Sequence, residues 1–140
     1  MKIEIHRIFL GWGILFFILG LFRYLTFGEQ ISLGICLILS LGFFITSRVY
    51  FKLKSRLDPS LIPIHFWMAI PAAILFMMCY FEISGFIPSR FYTEAESVYP
   101  NIAEKHTILN ISITISSIVF TVSYLIFAFN IFKAFLEKEK

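Results

Sequence analysis

Charged residues are scarce in this chain, and long stretches contain none. Asp, Glu, Lys and Arg make up 15% of the 140 residues, against about 25% in a typical soluble domain. Hydrophobic residues make up 59%, with 18 Phe and a mean hydropathy of +0.84. A soluble core of this size has no room for so many aromatic rings, whereas lipid accommodates them. The composition therefore indicates a membrane protein.

Signatures of catalysis and of metal binding are also missing from the sequence. Only two cysteines are present, Cys36 and Cys79, and both lie inside apolar runs, which argues against a disulfide framework. No nucleophile lies beside a base, and there are no paired carboxylates or Gly-rich phosphate loop. No ionisable residue lies near the centre of an apolar run, where proton-coupled transporters generally need one. We therefore predict no catalytic residue, no metal and no cofactor.

The basic residues do not indicate nucleic-acid binding, although the net charge is +3. They are concentrated at the ends of apolar runs, where Lys and Arg determine the topology of membrane proteins. The expected partners are the lipid bilayer, further copies of this chain or other membrane proteins.

Four apolar runs predict four transmembrane helices in a single membrane domain, 1–140. We place the spans at about 8–27, 31–51, 61–82 and 107–132. The first run is uncharged for about 15 residues, or about 22 Å of helix, against a hydrocarbon core of about 30 Å. It must therefore extend past Arg23, whose long side chain can place its charge at the interface. No small-residue cleavage site follows Gly20, so we expect this span to be retained.

The fourth run contains a pattern that favours a strand, because residues 110–116 alternate polar and apolar side chains. A lone strand in lipid would leave its backbone groups unpaired on both edges. A long uncharged run without turn residues is instead typical of a helix. We therefore predict an all-α integral membrane protein, a four-helix transmembrane bundle. Arg90 to Tyr99 predict a short interfacial helix in the last outer loop, which Pro100 would end.

The distribution of basic residues predicts the orientation. The side with both termini and the loop between spans two and three carries nine of the 12 Lys and Arg residues: Lys2, Arg7, Arg48, Lys52, Lys54, Arg56, Lys133, Lys138 and Lys140. The other side carries Arg23, Arg90 and Lys105. The positive-inside rule then places both termini in the cytoplasm of a multi-pass protein of the cell inner membrane or its equivalent.

Small residues recur at helical spacing on the first three spans. The shared faces are Gly13 and Gly20 with His6, Phe9 and Tyr24; Ser32, Cys36, Ser40 and Ser47; and His65, Ala69, Ala72 and Cys79. Small side chains let helices approach closely in lipid, so these faces predict a tightly packed bundle. Pro71 predicts a kink in the third span.

The fourth span carries a polar stripe with steps of four and three residues: Asn110, Thr114, Ser117, Thr121 and Tyr124. Such a stripe suits a helix contact held by hydroxyl groups, and it also suits the lining of an aqueous pore in an oligomer. A third interpretation is that Ser and Thr bond to carbonyls of their own helix. A second stripe of Ser112, Ser116 and Ser123 lies around the helix from the first.

Two further pairs of residues are candidates for specific roles. Arg23 and Glu82 lie near the outer ends of spans one and three, where they could form an ion pair. His6 and His65 could ligate haem, although both are expected near the cytoplasmic interface rather than deep in the bundle.

These observations leave three functional hypotheses open. The first is a non-enzymatic subunit that packs against membrane partners or itself. The second is an oligomeric ion pore or channel, such as a pore-forming effector, lined by the polar stripe. The third is a haem-binding or enzymatic membrane protein that uses His6 and His65.

Overall fold

A computed structural model describes residues 4–53, 55–86 and 100–136 of the chain, and all regular secondary structure in these residues is helical. The four helices are α1 (Ile5–Phe27), α2 (Gln30–Leu53), α3 (Leu61–Phe86) and α4 (Pro100–Leu136). Each is long and apolar enough to cross a membrane, which confirms the predicted number of apolar helices. Residues 110–116 are helical and do not form a strand. The predicted helix from Arg90 to Tyr99 lies outside the described residues.

The helices are distributed over two compact units. The first comprises Met1–Pro59 and Asn130–Lys140 and so contains α1, α2 and the last turns of α4. The second comprises Ser60–Phe129 and contains α3 and the rest of α4.

In the first unit, α1 and α2 form an antiparallel hairpin. Gly28 ends α1 with φ 69° and ψ 16°, a left-handed conformation that glycine adopts without steric cost. Its backbone N–H donates to the carbonyl of Tyr24 at 2.8 Å, as in an αL cap. The turn is tight because α2 begins two residues later, at Gln30.

A row of aromatic rings fills the interface between α1 and α2. Phe9 stacks on both Phe43 and Tyr50, with ring centroids 5.6 and 5.5 Å apart. Phe16 stacks on the same Phe43 at 5.5 Å. All four rings are buried, and such pairs contribute about 0.5–1.5 kcal/mol beyond the area that they bury. Along the hairpin, these rings lie between the positions at which small residues bring the two helices close together.

In the second unit, small side chains of α3 are buried, and aromatic rings connect its start to α4. Ala69, Ala72 and Cys79 are at most 7% exposed. The ring of His65 stacks on Phe127, with centroids 4.8 Å apart, and meets Tyr124 edge-on at 5.2 Å. The first turns of α3 therefore lie beside the second half of the α4 segment in this unit.

The exposed side chains of the helices are mainly apolar. Ile38, Leu25 and Trp67 are 70% exposed or more. Within the most apolar part of each helix, 17 to 33% of the residues are buried. A water-soluble protein rarely exposes so much contiguous apolar surface. The four helices therefore suggest a multi-pass membrane protein and are compatible with a transmembrane helical bundle.

Candidate functional site

The predicted small-residue faces of α1 and α2 meet each other in the hairpin. The hydroxyl of Ser40 donates to the carbonyl of Gly13 at 2.8 Å, and that of Ser47 donates to the carbonyl of His6 at 2.8 Å. Ser32 and Cys36 are also buried. Each of these hydroxyls therefore donates a hydrogen bond from α2 to α1. The carbonyl that accepts it already belongs to the helical backbone of α1. Tyr24, which the helical spacing placed on the same face, is 40% exposed instead.

An ion pair closes the turn between α1 and α2. The Arg23 guanidinium donates to both carboxylate oxygens of Glu29, with Nη2 2.9 Å from Oε1 and 2.7 Å from Oε2. The hydroxyl of Ser32 donates to the same carboxylate. The guanidinium carbon lies 5.1 Å from the ring centroid of Phe27, a cation–π distance. These contacts compensate the charge of the arginine near the end of α1. The pairing of Arg23 with Glu82 stays a prediction.

The predicted polar stripe of α4 lies on a largely exposed face. Asn110, Thr114 and Thr121 are exposed, and Ser117 is half-buried. The hydroxyls of Thr114, Ser117 and Thr121 donate to the carbonyls four residues earlier at 2.8–2.9 Å. Their polar groups are therefore satisfied within the helix, so the stripe can face lipid or another protein at little cost.

The last member of the stripe, Tyr124, is half-buried and turns toward α3. Its ring contacts His65 and lies 6.1 Å from the ring of Phe127. Tyr124 therefore packs against another helix of its own unit, which is compatible with the interpretation of the stripe as a packing face. The role of the other members of the stripe stays a prediction.

The polar residues that α4 buries belong to its other stripe. Ser116, Ser123 and Asn130 follow one another at intervals of seven residues, and each is at most 1% exposed. Sequence reasoning identified the two serines as a second stripe but missed Asn130. The heptad interval from Ser123 was the signal that could have included it.

Asn130 holds the loop that follows α2. Its side-chain oxygen accepts from the backbone N–H of Asp58 at 2.8 Å, and its amide nitrogen donates to the Asp58 carbonyl at 3.3 Å. Lys133 Nζ donates to the Asp58 carboxylate at 2.6 Å. One turn of α4 thus binds both the backbone and the side chain of Asp58. We call these three residues the Asp58 clasp.

The two histidines proposed as haem ligands have different surroundings. His65 is 1% exposed and packs between the aromatic rings of the second unit. The ring of His6 lies 5.3 Å from Phe51, and its Nε2 is 3.7 Å from a carboxylate oxygen of Glu4. The hypothesis that the two ligate haem stays a prediction.

Two adjoining cavities lie in the first unit, at the end where α2 terminates. The larger, about 670 Å³, is lined by apolar side chains together with Arg48 and Lys52. The smaller, about 400 Å³, includes His6 and Ser47 in its wall. Both cavities are lined by Phe44 and Arg48, so they meet at these two residues. We call them together the basic groove.

The described residues contain no group of three or more His, Cys, Asp or Glu side chains that could hold a metal ion. Comparison of the chain with protein-family models, with curated proteins and with solved structures gives no match.

Proposed function

We propose that this chain is a non-enzymatic multi-pass membrane protein that associates through the polar stripe of α4 with a second copy or with another membrane protein. The observation that carries the proposal is the exposure of three members of that stripe, Asn110, Thr114 and Thr121. Its members lie among exposed isoleucines, although hydroxyl and amide side chains in membrane helices usually face protein.

The small fraction of α4 residues that are buried within the chain also supports this proposal. In the apolar part of α4, 17% of the residues are buried, the lowest share among the four helices. Thr114 and Thr121 are small enough to let a second helix approach closely, and their hydroxyls are already bonded. Asn110 is exposed, so its side-chain amide could form hydrogen bonds with a partner helix.

We propose that both termini are cytoplasmic. Since α1 and α2 are antiparallel, the start of α1 lies beside the end of α2, which places Arg7, Arg48 and Lys52 at one end of the hairpin. The clustering of these cations at one end supports a cytoplasmic position.

The test is the oligomeric state in mild detergent, measured by light scattering on a sizing column. Thr114→Phe places a ring on the stripe and should convert the complex to a monomer. Ile115→Phe is the matched control: it changes the next residue, at the same depth, about 100° around the helix, and should leave the complex intact. A monomeric wild type that also copurifies without a stoichiometric partner would overturn the proposal.

An oligomeric ion pore is the second candidate, because the same exposed stripe would line it. In liposomes a pore would conduct ions, and Thr114→Lys should reverse or abolish cation conductance since a charge acts strongly in a low-dielectric lumen. If the stripe is a packing face, the wild type conducts nothing. The lysine then costs about 2.5–3.5 kcal/mol on insertion scales and disrupts association. We expect the second result.

A further inference from the structure

The basic groove combines apolar walls with positive charge. Its walls are apolar, with Ile45, Val49 and Leu53 of α2 and Phe135 of α4 around the larger cavity. Two cations, Arg48 and Lys52, stand on the same wall, one helical turn apart. The volumes of about 670 and 400 Å³ lie within the range of about 300–1,000 Å³ that is typical of ligand sites.

The cations of the groove are available to a ligand. Both Arg48 and Lys52 are exposed, and neither forms an ion pair with another described residue. Arg7, Arg23 and Lys133, by contrast, pair with Glu4, Glu29 and Asp58. Arg56 is also exposed, but it lies outside the groove. The groove therefore offers positive charge beside an apolar wall, which is complementary to an amphiphile with an anionic head.

The position of the groove along α2 further restricts the class of ligand that it can bind. The uncharged run of α2 ends at Ser47; Arg48 follows directly, and Lys52 follows four residues after Arg48. If the chain spans a membrane as proposed above, this point is the boundary between the acyl chains and the headgroups. Phe44 and Arg48 line both cavities, so an anionic group at Arg48 would have two cavities with apolar walls beside it.

We propose that the basic groove binds one anionic diacyl phospholipid of the cytoplasmic leaflet. The phosphate lies between Arg48 and Lys52, and one acyl chain occupies each cavity, with Phe44 between the chains. The guanidinium can form two parallel hydrogen bonds to phosphate oxygens, while Lys52 contributes a point charge. Basic pockets beside transmembrane helices on the cytoplasmic side recognise anionic lipids in this way.

Native mass spectrometry of the detergent-solubilised protein tests the proposal, with phosphatidylglycerol and phosphatidylcholine of identical acyl chains as probes. The wild type should bind one phosphatidylglycerol with an affinity on the order of 10-fold above that for phosphatidylcholine. Arg48→Gln with Lys52→Gln should remove the preference. Arg7→Gln with Arg56→Gln removes the same charge from residues outside the groove and should retain it.

A second variant tests the apolar walls without changing the charge. Ile45→Trp adds bulk to the larger cavity at a side chain that is 53% exposed, so the fold should be kept. It should weaken phosphatidylglycerol binding at least as strongly as the double charge variant does. Circular dichroism checks that each variant is folded.

Equal binding of the two lipids by the wild type, or an equal loss of preference in the control variant, would refute the lipid site. Either result would leave the membrane assignment intact if the protein still reconstitutes into bilayers. Failure of the wild type to reconstitute would refute that assignment as well.

Discussion

Among the glycines of the hairpin, Gly20 leaves the least room for a Cβ atom. A Cβ atom built on it would lie 2.5 Å from the Cβ of Cys36, a distance that real Cβ atoms essentially never show. At Gly13 the nearest atoms belong to the Phe44 ring, at 2.9 Å, which can rotate away more easily than a Cβ can move. The hairpin geometry therefore depends most directly on the missing side chain of Gly20.

We predict that Gly20→Ala destabilises the hairpin by about 1–3 kcal/mol, because two Cβ atoms must separate and shift the helices. This loss should exceed the gain of about 0.8–1 kcal/mol that alanine brings to a helix interior. Thermal unfolding in detergent, followed by circular dichroism, measures the difference.

Gly34 provides the control on α2, since no neighbouring atom lies within 4 Å of the position that a Cβ atom would take there. Gly34→Ala should be neutral or slightly stabilising. In a double-mutant cycle, Cys36→Gly should recover part of the loss caused by Gly20→Ala. Additive effects of the two substitutions would show that the contact does not limit packing.

Among the elements, α4 shows what a sequence pattern determines and what it leaves open. A long uncharged run is sufficient to predict a helix in a membrane protein, and the helix is present. Both polar stripes have heptad spacing, so spacing alone could not decide which one is buried. The aromatic residue Phe127 shares a face with Ser123 and Asn130, and all three are buried. Large apolar neighbours do not by themselves distinguish this stripe, because the exposed stripe also lies among large apolar residues such as Ile111 and Ile118.

The Asp58 clasp was not predicted, because its partners lie 72 and 75 positions apart in sequence. Asn130 satisfies two backbone groups of the loop, whereas Lys133 is 41% exposed and forms one ion pair. A buried amide that bonds backbone groups contributes more than a partly exposed ion pair. The clasp therefore depends mainly on Asn130.

We predict that Asn130→Ala destabilises the protein by about 1–3 kcal/mol, since it removes both hydrogen bonds between the Asn130 side chain and the backbone of Asp58. Trypsin should also cleave faster after Arg56, an exposed residue of the same loop. Lys133→Gln should cost about 0–1 kcal/mol. Asn110→Ala, the same change at an exposed position of α4, should leave the cleavage rate unchanged. Equal cleavage rates in Asn130→Ala and wild type would contradict the role of the clasp.

For the molecule as a whole, composition and run length were sufficient to predict four helices, because lipid excludes charge and requires internally bonded backbone. The small-residue faces predicted hairpin contacts such as the hydrogen bond from the Ser40 hydroxyl to the Gly13 carbonyl. The pairing of Arg23 with Glu29 was missed, although the two residues flank the same turn. The proposed orientation in the membrane rests on a separate argument, the excess of Lys and Arg on the side that carries both termini.

Labelling of single cysteines with a membrane-impermeant maleimide tests that orientation, after Cys36 and Cys79 are replaced. A cysteine at position 97 should react in intact cells. A cysteine at position 55, which the structure places in the exposed loop after α2, should react only once the membrane is permeabilised. Ile38 supplies an internal control, since its side chain is 73% exposed on the protein and lies in the middle of α2. A cysteine there should stay unlabelled in both conditions because lipid covers it and suppresses thiolate formation. Labelling of position 55 from outside would reverse the proposed topology, whereas ready labelling of position 38 would show that α2 does not cross the membrane.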